Sequence, residues 1–323
     1  MLKNLIGHFV VYTAGINLPN VENVIKIELR EVFCALHHIG ILQLTQNLDD
    51  AVHGFKEGLA AAGLTTTFHY LNADGAAGDL PLLASKLAEQ HVELIFACST
   101  PAAQAAVALE DNIPVVFTPV FDPIGTGLAI SLDKPGGKAT GVAGMVPAAA
   151  KAAFIRELLP AAKTVGILYH SGDSNALLEV NNFNQAAKKL FTLIELPIDK
   201  PEELSTLDRL PSQLDVLFLP IGKIIEENFA SIAYYAEGIN LPVITSHAPN
   251  VPAGALGALV ANHNTLGRDC AVKAIQILNG ACPGNIPVGI VNNPEIQLNA
   301  FVAANLAIEL PQSLLAKAKE VFE

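Results

Sequence analysis

Two short polar clusters in this chain have the residue types and spacing to do chemistry. Ser99-Thr100-Pro101 follows the apolar run Leu94–Cys98, and Phe121-Asp122-Pro123 follows the run Val115–Val120. A Ser or Thr ahead of a helix caps free backbone N–H groups, and Pro at the first helical position loses no hydrogen bond. Those N–H groups, the hydroxyls and the positive end of the helix make a seat for a carboxylate or phosphate. Asp122, at the end of the next strand, sets an anion close to that seat, and a pairing of this kind suits a zwitterion such as an amino acid. The same residues also read as an ordinary helix cap and an ordinary Asp-Pro turn, so both readings stand at this level.

The elements that position these clusters can be read from periodicity. Two continuous apolar runs joined by a helix of about a dozen residues are the mark of parallel strands covered on both faces. Polar residues gathered at the carboxyl ends of such strands lie where open α/β sheets hold their ligands. Upstream, the pattern predicts a strand over 39–44, a helix over 49–62 closed by Gly63, a strand over 66–71, and a helix over 79–90 capped by Asp79. After Asp122 the turn-rich stretches 123–127 and 133–137 and a short strand over 141–146 suggest a crossing between lobes.

The alternation then restarts. Helices are predicted over 147–159, 175–190, 201–210 and 224–237, and strands over 164–169, 193–198, 216–220 and 242–245. The strand ends carry Tyr169-His170-Ser171-Gly172-Asp173-Ser174-Asn175, then Ile221-Gly222, then Ser246-His247. A strand over 256–260 leads back, a helix over 265–278 stops at Asn279-Gly280, and the tail reads as a strand over 294–302 and a terminal amphipathic helix over 311–322. The expected fold class is therefore α/β: two doubly wound parallel-sheet lobes joined by a multi-strand hinge. The expected division is an N-terminal extension at 1–37, a first lobe of 38–145 plus about 262–293, and a second lobe of 146–261 plus about 294–323.

Composition narrows the function. A chain of 323 residues with 51% hydrophobic and 15% charged residues can bury two cores. A net charge of −12 and no basic run argue against nucleic acid as a partner. The four cysteines (Cys34, Cys98, Cys270, Cys282) are far apart, and no pair of histidines has ligand spacing, so neither a metal nor another cofactor is expected. There is no G-x-G-x-x-G after a strand and no G-x-S-x-G elbow. His170 and His247 follow strands of the second lobe, but no partner carboxylate can be assigned to either, so an enzyme is not expected. The stretch from Lys3 to Gly15 resembles an export signal only superficially, since His8 and two glycines interrupt it and Glu28, Arg30 and Glu31 precede Cys34.

Several segments together resemble one family. Ile41-Leu42-Gln43, Thr100-Pro101-Ala102-Ala103-Gln104-Ala105, Thr118-Pro119-Val120-Phe121-Asp122-Pro123-Ile124-Gly125 and Lys134-Pro135-Gly136-Gly137 are similar, in order and spacing, to ABC transporter substrate-binding proteins of the group that includes tryptophan- and tyrosine-binding members. Lys163-Thr164-Val165-Gly166-Ile167-Leu168-Tyr169 and Leu310-Pro311-Gln312-Ser313-Leu314-Leu315 continue the likeness. The resemblance implies a type I periplasmic-binding-protein fold, extracytoplasmic placement, a small amino-acid-like ligand bound between the lobes, and an ABC permease as partner. It implies cleft positions at Thr45, Gln46, Ser99, Thr100, Phe121 and Asp122 in the first lobe. In the second lobe they are Tyr169, Ser171, Ser174, Asn175, Ile221 and Ser246. On this reading Ser99, Thr100, Ser174 and Asn175 donate to a carboxylate, Asp122 accepts from an ammonium, and Phe121 and Tyr169 flank a side chain. The chain departs from the family pattern where acids are common, at Ile221-Gly222 and at Ser246-His247, which leaves Asp122 and Asp173 as the acidic candidates. The alternative is a ligand-sensing domain of a receptor or regulator with the same fold.

Overall fold

The computed structural model describes residues 36–204 and 213–323. Expectations for Cys34, for an export signal and for most of the helix over 201–210 lie outside them.

The first sheet is built from the most continuously apolar segments. Its strands are β1 (Leu36–Gln43), β2 (Thr65–Asn72), β3 (Leu94–Cys98), β4 (Val115–Val120) and β5 (Ala139–Ala143), in the order β2-β1-β3-β4-β5, all parallel. The helices between them are α1 (Asp49–Ala61), α2 (Leu80–Glu89) and α3 (Thr100–Val107). Every residue of β3 and β5 is buried, as strands covered on both faces must be. On one face Phe55 of α1 stacks on Phe96 with ring centroids 4.0 Å apart. On the other, Leu80, Ala84 and Leu87 of α2 and Ala102, Ala103 and Ala106 of α3 cover Leu42, Ile95 and Ala97.

The second sheet contains β6 (Thr164–His170), β7 (Thr192–Ile198), β8 (Val216–Leu219), β9 (Val243–Thr245), β10 (Gly257–Val260), β11 (Glu295–Asn299) and β12 (Ala318–Phe322), in the order β12-β11-β10-β9-β8-β6-β7. Its helices include α4 (Ala148–Leu158), α5 (Ser174–Ala187), α6 (Lys223–Glu227) and α7 (Phe229–Gly238). Phe183 of α5 packs on Phe218 of β8 at 4.5 Å, repeating the aromatic pair of the first lobe.

Among the described residues the chain passes between the sheets three times: between β5 and α4, between β10 and α8 (His263–Leu278), and on the approach to β11. The third passage enters the second sheet from the rim, so β11 runs antiparallel to β10. Helix α8 returns to the first lobe and lies against α1 at very close range. A Cβ on Gly54 would fall 1.9 Å from the Asn264 carbonyl oxygen, and one on Gly267 would fall 2.0 Å from that of Ala51. Only glycine permits that approach.

The structure corrects several sequence expectations. The predicted terminal helix is a four-residue helix, α10 (Gln312–Leu315), followed by β12, which pairs with β11 in parallel. Its Lys319 and Glu320 face solvent, as suits a sheet edge, and its backbone pairing outweighs the helical pattern of the side chains. The strand over 294–302 stops at Asn299, whose side chain accepts from the Val302 N–H and starts α9 (Ala300–Asn305). The helix over 224–237 is broken at Asn228, whose amide donates to the Ile224 carbonyl and competes with the ladder. Asp79 makes no side-chain cap; it closes a short 3-10 turn instead. The helix after Ser99 has eight residues, not a dozen.

Candidate functional site

Three adjacent strands of each sheet, β1-β3-β4 in the first and β9-β8-β6 in the second, end in the polar segments singled out from the sequence. At about 4.8 Å between neighbouring strands, each set of three ends spans about 10 Å, the dimension of a single amino acid.

In the first lobe, Ser99 is the N-cap of α3. Its Oγ accepts from the Ala102 N–H at 3.3 Å, and its carbonyl accepts from the Ala103 N–H. Its backbone has φ 106° and ψ 158°, a region that glycine alone adopts freely and that costs about 1–3 kcal/mol in any other residue. Thr100, half-buried beside it, has a hydroxyl with no partner among the described residues. Asp122 is half-buried and caps its own turn: Oδ1 accepts from the Gly125 N–H at 2.7 Å, and its carbonyl accepts from the Thr126 hydroxyl. A Cβ on Gly125 would fall 2.1 Å from Asp122 Oδ2, so a side chain there would make the carboxylate shift. Phe121 lies against Gly144 in the first passage between lobes, 3.2 Å from where a Cβ there would sit. Thr45 is half-buried and Gln46 exposed, in the short 3-10 turn that follows β1, and Thr45 makes no capping bond.

Beneath that turn, a polar chain that sequence reasoning missed fixes the end of β1. Gln43 is fully buried; its amide donates to Asp49 and its oxygen accepts from the Tyr70 hydroxyl at 2.7 Å. Asn72 donates to the same hydroxyl.

The second lobe is arranged differently from the sequence expectation. The N-terminus of α5 is closed by the chain itself, because Asp173 Oδ1 accepts from the N–H groups of Asn175 and Ala176. Ser174 and Asn175 are exposed beside a carboxylate that already occupies the helix end, so the anion seat proposed there is filled. Ser171 donates to the carboxylate of Asp199. Tyr169, next to last in β6, is 6% exposed, and its hydroxyl donates to Glu195 at 2.8 Å. Burial, with the Glu195 carboxylate beside it, pushes the phenol up to about 12. Its ring belongs to the apolar core under α5. His247, left without a partner by the sequence, has its Nδ1 3.7 Å from Glu226, whose Oε1 also accepts from the Gly222 N–H.

The acids missing after β8 and β9 are replaced from below. Glu179 of α5, 1% exposed, bonds Lys151 of α4, 5% exposed. Ser246 donates to Glu179 Oε1 at 2.5 Å and accepts from Lys151 at 2.8 Å, while the Ile221 N–H donates to Glu179 Oε2 at 3.0 Å. The signal was present in the sequence: Glu179 falls in the stripe Ala176, Val180, Phe183, Ala187, and Lys151 in the stripe Ala152, Ile155, Leu158. A charge of each sign at core positions of successive helices marks a buried pair.

Among the described residues no cluster of His, Cys, Asp or Glu could hold a metal ion, and no helix is long and apolar enough to cross a membrane. A cavity of about 690 Å³ lined by Ala236, Leu241, Val243, Gly254, Asn299 and Phe301 lies at the opposite ends of the strands, away from both rims.

Comparison with known proteins agrees with this architecture. A family described as ABC transporter substrate binding protein matches residues 38–322. A tyrosine-binding protein of Clostridioides difficile is 31% identical over 270 residues, covering 81% of this chain and 78% of the relative. Among solved structures, a domain from Streptococcus pneumoniae in complex with L-Trp is 29% identical, with a TM-score of 0.75 over 89% of this chain and 100% of that one. The ligand-free, open structure of a substrate-binding protein with adhesive properties from Clostridium difficile is also 29% identical, with a TM-score of 0.81 over 88% and 99%.

Proposed function

The chain belongs to the ABC transporter substrate-binding protein family, and from that premise we propose that it is the solute-binding component of an importer, taking an aromatic amino acid into the cleft between its lobes. It is a binding protein and not an enzyme. Ser99 and Thr100 receive the ligand carboxylate, Asp122 Oδ2 takes the ammonium, and Phe121 flanks the side chain. The observation that carries this reading is the strained backbone of Ser99 at the ligand end of β3, where the fold holds a non-glycine residue at φ 106°.

Because Asp173 fills the helix end of the second lobe, both charged groups of the ligand load onto the first lobe. The second lobe then closes over them with neutral contacts from Ile221 and Ser246. The lobes that move are 38–145 plus about 262–293 and 146–261 plus about 294–323. The higher TM-score to the open, ligand-free relative supports an open arrangement for this chain. Closure removes water from the ligand's charges and strengthens their contacts. Delivery to a permease on the outer face of a membrane follows from the family role.

The test uses a property of the chain: it contains no tryptophan. Emission from bound L-tryptophan is therefore read without indole background, and L-tyrosine is read by competition. Saturable binding is expected, with Kd raised about tenfold or more by Thr100→Val and by Asp122→Ala, since each removes a partner of a charged group worth about 1.5–3 kcal/mol. Binding unchanged by both substitutions would refute the assignment.

A further inference from the structure

Ile221 and Ser246 belong to separate loops, after β8 and β9, yet both are tied to one carboxylate that comes from neither loop. Glu179 reaches up from α5, and Lys151 from α4 meets the same oxygen and the same hydroxyl. An ionised carboxylate only accepts, and here it receives a backbone N–H, a hydroxyl and an ammonium, so its position is set from three directions. The ammonium also lies over the Phe218 ring, 5.9 Å from its centroid. Both side chains are sealed from solvent, so neither is placed to touch a ligand.

A pair that served stability alone would be an odd choice, because packed apolar residues of similar volume commonly do as well or better in a core. What apolar residues cannot do is accept from Ile221 and Ser246. We propose that Lys151 and Glu179 are positioning residues for the second half-site, locking the two rim loops in the register that meets the ligand when the lobes close. The proposal rests on the binding function above. It makes the affinity of the closed state depend on two side chains buried beneath the cleft.

The test separates positioning from packing. In the double variant Lys151→Met/Glu179→Leu, the charges leave together and the volume is nearly kept. The expected result is a melting temperature close to wild type, a Kd for L-tryptophan raised at least tenfold, and faster amide exchange at Ile221, whose N–H has lost its acceptor. A folded double variant with wild-type Kd and unchanged exchange at Ile221 would overturn the proposal. If the double variant does not fold, Glu179→Gln takes its place, keeping the shape and one acceptor oxygen; a Kd raised about threefold or more supports the proposal and an unchanged one overturns it. If the wild-type protein binds neither L-tryptophan nor L-tyrosine, the proposed function fails. Exchange at Ile221 then decides the positioning role independently.

Discussion

Replacing Gly267 by alanine is expected to destabilise the protein, although alanine is the better helix former. In an exposed helix the change would stabilise by about 0.5–1 kcal/mol. Here the new Cβ would sit 2.0 Å from the Ala51 carbonyl oxygen, 2.8 Å from the Phe55 nitrogen and 2.9 Å from the Ala51 carbonyl carbon, where ordinary contact begins at 3.4 Å. All three atoms are backbone, so no side-chain rotation relieves the overlap, and α1 and α8 must part by more than an ångström. Parting them disturbs Phe55, which is stacked on Phe96 at the centre of the first lobe. Overpacking of this kind costs about 1–3 kcal/mol, which set against the propensity gain leaves a net loss of up to about 2.5 kcal/mol. At about 2–4 °C per kcal/mol, the thermal midpoint followed by circular dichroism falls by several degrees. Gly238→Ala is the matched control: no atom lies within 4 Å of its Cβ position, so it should be neutral or slightly stabilising. A Gly267→Ala protein that melts at or above the wild-type temperature would refute the close-packed crossing.

Other outcomes follow from the same geometry. Gly125→Ala makes the Asp122 carboxylate shift and should raise the Kd for L-tyrosine, by no more than the roughly tenfold expected of Asp122→Ala; wild-type affinity in both variants would show that this carboxylate takes no part. Tyr169→Phe removes the hydroxyl bonded to Glu195 and should lower stability by about 1 kcal/mol while leaving L-tryptophan affinity unchanged, in keeping with its place in the core. Stability should also fall in acid. Burial holds His263 below its ordinary value of 6.5 despite Asp50 nearby. The unfolded chain therefore takes up that proton first, and the contribution, complete above about pH 6.5, is lost as pH falls through the folded value. Burial pushes Glu93 up, but bonds from the His37 ring and the His38 N–H more than offset it and leave it below 4.5, which adds a second loss in more acidic solution. Thermal midpoints measured from pH 8 to 4 should decline below 6.5, and His263→Gln should flatten the first part of that decline; an unaltered slope would exclude His263 as its source.

Much of the architecture was legible because parallel strands buried on both faces read as uninterrupted apolar runs. Leu94–Cys98 and Val115–Val120 could be placed without coordinates, and the polar ends of the strands followed from them. The last strand was not legible, since Ala318–Phe322 pairs at a sheet edge where charged side chains give no alternation. The crossing of α1 and α8 was hidden for a different reason. Gly54 and Gly267 gain meaning only when two helices 200 residues apart are laid together. The site was half legible. Hydroxyls and acids at strand ends could be named, but whether each was free depended on short-range capping, as with Asp173, and the burial of Tyr169 was hidden because a strand end does not reveal which side chain points inward. Lys151 and Glu179 were passed over although they break two apolar stripes, because each looks like an ordinary helix charge until the other is set opposite it.

Two lobes that close on an amino acid must make the molecule more compact. Small-angle X-ray scattering with and without saturating L-tyrosine or L-tryptophan measures that change. The radius of gyration is expected to fall in the presence of ligand, with the change lost in Asp122→Ala. A radius of gyration that stays constant while L-tryptophan emission reports full occupancy would rule out closure.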